Sequence, residues 1–245
     1  MPDIDRLEAE IRRRRNLERE LAQARRDLQQ VRRELANSRA DERRVRHTAY
    51  HDSLTGLPNR RSFEEHSGHA MQRQAPQTRE FALLYIDLDG FKSVNDVHGH
   101  AVGDELLKVI GARLTQAVRA DDTVSRHGGD EFLCLLLDVQ DEEQVAAIAR
   151  KLFDAVSAPC QLGRLSLCAR PSIGVALYPR DGLSVEALLE SADSAMFWAK
   201  KHRLGHAFFS QLPSAARALM AGPAHLESAV LRLPTLREAG GRIPS

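Results

Sequence analysis

The stretch Thr123-Val-Ser-Arg-His-Gly-Gly-Asp-Glu-Phe-Leu-Cys-Leu-Leu-Leu137 decides the fold class. Residues 123–126 and 132–137 have the composition of strands, and they flank His127-Gly128-Gly129-Asp130-Glu131. A Gly-Gly pair supplies the positive φ angles of a tight hairpin turn, so the segment reads as an antiparallel hairpin. Its tip presents two adjacent carboxylates, Asp130 and Glu131. Upstream, Phe81-Ala-Leu-Leu-Tyr-Ile-Asp87 is an apolar run of strand length that ends in acid, and Leu106, Leu107, Ile110, Leu114 and Val118 recur as the apolar face of a helix over 104–118. Downstream, residues 142–153 and 185–201 read as helices, with strands at 171–177 and 206–209. Strands and helices mix along this segment, with an antiparallel hairpin at the middle.

Asp87 and Asp89 close one strand while Asp130 and Glu131 occupy a hairpin tip. Acids at two loop edges of one sheet can meet around a hard divalent cation, and Mg²⁺ with a phosphate substrate is the natural inference. Asp87-Leu-Asp89-Gly90 begins like a calcium-binding EF-hand loop, but loop position six is Lys92 instead of Gly and position twelve is His98 instead of Glu. The EF-hand is therefore discarded. The plain alternative for each acid is turn capping, which is weakest for Asp130 beside Glu131 because adjacent acids repel without a counter-ion.

Residues 1–50 differ in kind, with fourteen Arg, ten Asp or Glu, no Gly, and Pro2 as the only proline. This predicts one long helix. Ile4, Leu7 and Ile11, then Leu17, Leu21, Ala24, Leu28, Val31 and Leu35, and later Val45 and Ala49, form a seam at spacings of three and four, the pattern of a coiled coil. Ile11 and Leu21 lie ten residues apart, so the two registers do not join, and a three-residue stammer is expected near 14–17. A helix this long has no room to fold back on a small domain, so a second copy is the expected partner. A DNA-gripping basic region at Arg12–Arg15 is the sharper reading of that run. Glu8, Glu10, Glu18 and Glu20 interrupt the charge, which favours a solvated coiled-coil face.

At 245 residues, the chain has room for one enzyme core plus an extension. Hydrophobic residues at 42% and charged residues at 28% exclude wholesale disorder and fibrous architectures. A net charge of +1 removes the global argument for nucleic acid as a partner. Cys134, Cys160 and Cys168 have neither metal spacing nor even count and read as reduced thiols. No apolar run is long enough to span a membrane and no apolar signal region follows Met1, so a cytoplasmic protein without a membrane partner is expected.

Over residues 52–209 the chain resembles the GGDEF family of diguanylate cyclases. The resemblance rests on Asp52-Ser-Leu-Thr-Gly-Leu-Pro-Asn-Arg-Arg61, Asp87-Leu-Asp-Gly-Phe-Lys-Ser-Val-Asn-Asp-Val-His-Gly-His-Ala-Val-Gly-Asp104, Gly128-Gly-Asp-Glu-Phe132, Ser172-Ile-Gly-Val-Ala and Ala192-Asp-Ser-Ala-Met-Phe-Trp-Ala-Lys200, in that order. It implies an α+β fold with a central, mostly antiparallel sheet wrapped by helices, similar to the palm of nucleotide cyclases and polymerases, and condensation of two GTP into cyclic di-GMP and two pyrophosphates. It further implies that Asp87, Asp130 and the carbonyl of Leu88 hold Mg²⁺, or Mn²⁺ in its place, with Glu131 assisting at the metal and triphosphate. Asp130 takes the family's base position, with metal activation of the 3′-hydroxyl as the other route. Asn95 and Asp104 match guanine-reading positions, and their amide and carboxylate suit guanine's donor pair. Lys92, Lys200 and the backbone at Phe91 match phosphate contacts, and His100 is substrate-proximal.

The same resemblance assigns Arg119 and Asp122 to an RxxD product-inhibition site, with Arg150 as a secondary contact; an ordinary Arg–Asp surface pair is the alternative. Each domain of the family holds one GTP, so two must face each other, which makes a homodimer through residues 1–50 part of the expected mechanism. The chain departs from the family after Lys200, where Lys201-His202-Arg203-Leu204-Gly205 stands in place of the usual sequence; Arg203 is the expected second phosphate-binding arginine. Phe197 replaces the usual Tyr. The expected organisation is a coiled-coil helix over 1–50, a cyclase domain over 51–210, and a linker-like tail over 211–245 with one helix at 225–233. No sensory or phosphodiesterase domain is expected in these residues. The other classes to be weighed are a non-catalytic receptor for cyclic di-GMP or GTP, and a scaffold that only dimerises.

Overall fold

The computed structural model describes residues 2–73 and 80–220, and the chain divides into two units, Met1–Tyr50 and His51–Ser245. The first is a single helix, α1 (Pro2–Tyr50). Its length is roughly 70 Å at about 1.5 Å per residue. The seam side chains Leu17, Leu21, Leu28, Val31 and Leu35 are all exposed on it. Polar pairs one turn apart, such as Gln23 to Asp27 and Gln30 to Glu34, lace its surface. The side chains of the earlier register, Ile4, Leu7 and Ile11, lie outside the described residues.

The second unit runs α2 (Arg60–Arg73), β1 (Glu80–Asp89), α3 (Phe91–His98), α4 (His100–Ala117), β2 (Thr123–Gly128), β3 (Glu131–Val139), α5 (Glu142–Ser157), β4 (Cys160–Leu162), β5 (Leu165–Leu167), β6 (Arg170–Tyr178), α6 (Val185–His202), β7 (His206–Phe208) and α7 (Ser214–Met220). Five strands make one sheet in the order β2-β3-β1-β6-β7, antiparallel except for the β6–β7 edge pair, while β4 and β5 form a separate small hairpin. The expected α+β class with a mostly antiparallel sheet is what the chain adopts.

Strand β1 lies at the centre, and its period-two alternation divides the core. Phe81, Leu83 and Tyr85 pack with Phe63, Leu188, Ala192 and Met196, residues of α2 and α6. Ala82, Leu84, Ile86 and Leu88 pack on the opposite face with Leu106, Ile110 and Leu114 of α4 and Leu152 of α5. Both faces are covered, which is why residues 81–86 read as an unbroken apolar run. At the hairpin, Gly129 takes φ 50 and Gly128 φ 144, and only Gly129 and Asp130 separate β2 from β3.

Several elements go beyond the expected pattern, among them α3 and the β4–β5 hairpin. Helix α2 carries few apolar residues and buries chiefly Phe63. The helix expected over 104–118 starts earlier, at His100, because Gly99 at φ 84 turns the chain between α3 and α4. The segment 211–220 contains α7, and Leu212 is buried beside Ala195, Ala199 and Ala207, so packing continues into the segment expected to be a linker. The helix expected at 225–233 lies outside the described residues.

Candidate active site

The carboxylates meet because two strands end together. In the β1–β3 ladder Asp87 stands opposite Glu131, and in the β1–β6 ladder it stands opposite Ser172. Asp87 shares a face of β1 with Tyr85, the α2–α6 side. Helix α6 lies against β6 at Gly174, where a Cβ would fall 1.9 Å from the Ala192 carbonyl oxygen and 2.1 Å from the Met196 nitrogen. That close approach brings Asp193 and, two turns on, Lys200 to the strand ends. Lys200 Nζ donates to Asp87 Oδ1 at 2.5 Å, and Ser172 Oγ donates to Asp89 Oδ1 at 2.9 Å.

Crowding shows in the proton affinities. Burial and the charge of Asp87 push the Asp130 carboxyl above its ordinary range. Glu131 is raised by burial and by Asp87, Asp193 and Asp130, with a hydrogen bond from Tyr85 pulling the other way. Asp193 is raised by burial and by Asp87. At Lys200 burial disfavours the charge, but the hydrogen bond and attraction of Asp87 outweigh it and raise the ammonium pKa. The site is thus short of positive charge, and Lys200 is the counter-ion already engaged.

Such a donor set fits a hard divalent cation. Among the described residues no three acidic, imidazole or thiol groups form a ready-made metal cage. Mg²⁺ characteristically takes one or two carboxylates and completes its shell with water and substrate phosphates, so Asp87, Asp130 and Glu131 suit it better than they would suit a metal needing a closed protein cage.

Beyond the end of β1, the chain turns at Gly90 into α3 and at Gly99 into α4. Lys92 and His100 are exposed, and Asp104, one turn after His100, is exposed on the same helical face. Phe91 is buried, leaving its backbone as the part available to a ligand. Asn95 Oδ1 is buried without a hydrogen-bond partner. It lies over Gly103 of α4, where a Cβ would stand 1.9 Å from that oxygen. A buried amide oxygen without a partner is costly, and this one is free to accept a donor from elsewhere.

The remaining predicted residues are dispersed. Arg119 is exposed just past α4, and the Asp122 carboxylate accepts the Arg119 backbone N–H at 3.0 Å and the Leu137 N–H at 3.1 Å. Asp122 therefore holds a turn to β3, whatever else it does. Arg150 is exposed on α5, makes no ion pair with Asp122, and lends its charge to depressing the His206 pKa after burial. Arg203 caps α6 in the left-handed region, φ 55, and its carbonyl accepts from Arg170 Nη2 at 2.9 Å.

Sequence reasoning missed Asp193, Tyr85 and Arg126. Asp193 had a signal: it lies seven residues, two helical turns, before Lys200 and beside the buried stripe Leu188, Ala192, Ala195 and Ala199. Tyr85 had none, since its hydroxyl reaches Glu131 only through the strand register. Arg126 grips the hairpin from within: Nε and Nη2 donate to the Gly129 carbonyl at 3.0 and 2.7 Å, and Nη1 donates to both oxygens of Asp52 at 2.9 and 3.0 Å.

Comparison with known proteins matches residues 49–205 to the diguanylate cyclase GGDEF domain. The Pseudomonas aeruginosa protein named bifunctional diguanylate cyclase/cyclic di-GMP phosphodiesterase MucR is 44% identical over 162 residues, covering 66% of this chain and 24% of that protein. Diguanylate cyclase TpbB of the same species, strain UCBPP-PA14, is 39% identical over 167 residues, 68% of this chain and 38% of that one. The crystal structure of a sensory box/GGDEF family protein from Caulobacter crescentus superimposes with a TM-score of 0.60 at 41% identity, covering 62% of this chain and 99% of that chain. The chain thus spans between 24% and 38% of the length of these two curated relatives.

Proposed function

Because the chain belongs to the GGDEF-domain diguanylate cyclase family, we propose that it condenses two GTP into cyclic di-GMP and two pyrophosphates, each of two copies holding one GTP. The carrying observation is the meeting of acids at the strand ends: Asp87 opposite Glu131 across the β1–β3 ladder, Asp130 beside it at the hairpin tip, and Lys200 bonded to Asp87. Mg²⁺, when bound by Asp87, Asp130, Glu131 and the Leu88 carbonyl, supplies charge neutralisation for the triphosphate and lowers the pKa of an attacking hydroxyl.

The protein's own groups do the rest. Asn95, with its buried oxygen lacking a partner, and exposed Asp104 accept from the N1–H and 2-amino group of guanine, a donor pair that adenine lacks. Lys92 and the backbone N–H groups at Phe91 bind the terminal phosphates, and Lys200, which donates to Asp87 in the nucleotide-free chain, is the further cation for the triphosphate. Arg203 is the further phosphate contact, and His100 borders the nucleotide. Asp130, whose proton affinity is already raised by burial and Asp87, is the group suited to receive the 3′-hydroxyl proton. The α-phosphorus of one GTP must meet the 3′-hydroxyl of the other, and pairing the exposed seam of α1 with a second copy raises the effective concentration of the two domains. Cyclic di-GMP at Arg119, Asp122 and Arg150 then restrains the reaction.

The test is product formation from GTP and Mg²⁺ by protein cleared of bound nucleotide, with Asp130→Ala as control. Cyclic di-GMP from the native chain and none from the variant supports the cyclase. Tight binding of GTP or cyclic di-GMP with no product at any concentration of dimer replaces it with a receptor.

A further inference from the structure

We propose that Arg126, braced by Asp52, is a positioning residue that fixes the peptide leading into Asp130 and so holds the catalytic hairpin in its working shape. The hairpin tip begins with two consecutive glycines, the residues with the most backbone freedom to lose, and Gly129 sits at φ 50. A tip of that composition needs an outside hold if its carboxylates are to stay in one place.

Arg126 provides the hold with two separate edges of one planar guanidinium. Nε and Nη2 converge on the Gly129 carbonyl at 3.0 and 2.7 Å, and Nη1 spans the Asp52 carboxylate at 2.9 and 3.0 Å. The Gly129 carbonyl and the Asp130 nitrogen belong to one planar peptide, so fixing the direction of the carbonyl fixes the direction from which Asp130 starts. Both charged side chains are largely withdrawn from water, with 11% of the Arg126 and 19% of the Asp52 side chain exposed, which sets this pair apart from the exposed ion pairs of α2.

The far end is anchored as well. Asp52 Oδ1 accepts from the Thr55 backbone N–H at 2.9 Å and from its hydroxyl at 2.6 Å. Asp52 N donates to the Leu57 carbonyl, Gly56 N to the Asp52 carbonyl, and Arg126 N to the Pro58 carbonyl at 2.9 Å. Burial would raise the Asp52 carboxyl, but Thr55 and Arg126 together hold it below its ordinary value, so the brace stays charged. The strut therefore runs from the turn over residues 52–58 through Arg126 to the hairpin tip. A lysine at 126 keeps the attraction to Asp52 but has no fork with which to grip Gly129 at the same time.

That the hairpin is catalytic rests on the cyclase reading; the strut does not, and the experiment separates the two. Hydrogen exchange is measured on the nucleotide-free full chain for the native protein, Arg126→Lys and Asp52→Asn. Exchange at 128–131 is expected to quicken about tenfold in Arg126→Lys and by less in Asp52→Asn, with residues 82–86 of β1 unchanged. Steady-state kinetics are expected to show kcat lowered by about tenfold or more with the KM for GTP within about twofold, because the reacting groups and not the nucleotide site are misplaced. The double variant should be no slower than Arg126→Lys alone, since the two residues act as one unit. Unchanged exchange at 128–131 overturns the strut whether or not the chain makes cyclic di-GMP. Faster exchange throughout β1, or a loosened tip with unaltered kcat, overturns the positioning role. A native chain that makes no product at all sinks the cyclase reading and leaves exchange to decide the strut.

Discussion

Replacing Gly103 by alanine is expected to separate guanine recognition from folding. A Cβ at position 103 stands 1.9 Å from Asn95 Oδ1, 3.0 Å from Asn95 Cγ and 3.1 Å from Phe91 Cζ. The first of these is far inside van der Waals contact, so the amide must swing away. The swing breaks no hydrogen bond at the amide oxygen, which has no partner to lose. Alanine in the interior of α4 gains about 1 kcal/mol over glycine in helix propensity. Moving Asn95 off its preferred rotamer costs about 0.5–1.5 kcal/mol. The two terms nearly cancel, so the melting temperature should stay within about 4 °C of the native value. Binding behaves differently. Asn95 offers guanine one acceptor and one donor, and losing one or both at about 1 to 1.5 kcal/mol each weakens GTP from about fivefold to somewhat over a hundredfold. Calorimetric titration with GTP and with ATP checks this: GTP should weaken by that factor while ATP, poor at the outset, changes little. A GTP affinity within about twofold of native would refute the placement of guanine against Asn95. A melting temperature lowered by 10 °C or more would refute the claim that Asn95 absorbs the clash.

Lys200→Ala should move two affinities in opposite directions, since Lys200 is the counter-ion of Asp87: nucleotide-free Mn²⁺ binding, read by paramagnetic relaxation, should tighten by about threefold or more, the lysine being 42% and the aspartate 14% exposed, while GTP binds more weakly. The two members of the RxxD stretch should also part company, because the Asp122 carboxylate carries two backbone hydrogen bonds and the Arg119 side chain is exposed. Arg119→Ala should relieve inhibition by added cyclic di-GMP without altering the urea midpoint, whereas Asp122→Ala should also cost about 1–3 kcal/mol of stability. The pH dependence follows from raised carboxylates at Asp130, Glu131 and Asp193. Each binds its proton more readily in the folded chain, so each adds stability as pH falls through its folded pKa. His127 and His206, held low chiefly by burial, lose stability as pH falls through about 6.5, so the two trends oppose. The difference made by Mg²⁺ isolates the carboxylates: its thermal stabilisation should shrink between pH 7.5 and pH 5, as protons take the oxygens it needs, and a stabilisation independent of pH would count against these acids as its ligands.

What could be read from the chain depended on how local the physical cause was. The hairpin was legible because Gly128 and Gly129 carry their conformational meaning in two adjacent letters, and β1 because an apolar run closed by Asp87 needs no partner to be seen. Helix α2 was not, because its burial rests on Phe63 amid charged residues and its place is set by the sheet beneath. Of the acidic cluster, three members were found at strand ends, where acids are conspicuous, while Asp193 was passed over on a helix whose surface is expected to carry charge. Arg126 shows the limit most sharply. In sequence it is one more arginine in a strand, between a serine and a histidine; its meaning depends on Asp52, 74 residues away, and on a carbonyl three residues ahead that no side-chain pattern can announce. Backbone carbonyls are the same in every sequence, so a side chain whose job is to grip one leaves no complementary letter to search for. The residues proposed for the chemistry are therefore the readable ones, because metal and base chemistry demand particular side chains. The residues that hold them still become visible only once the register of the strands is known.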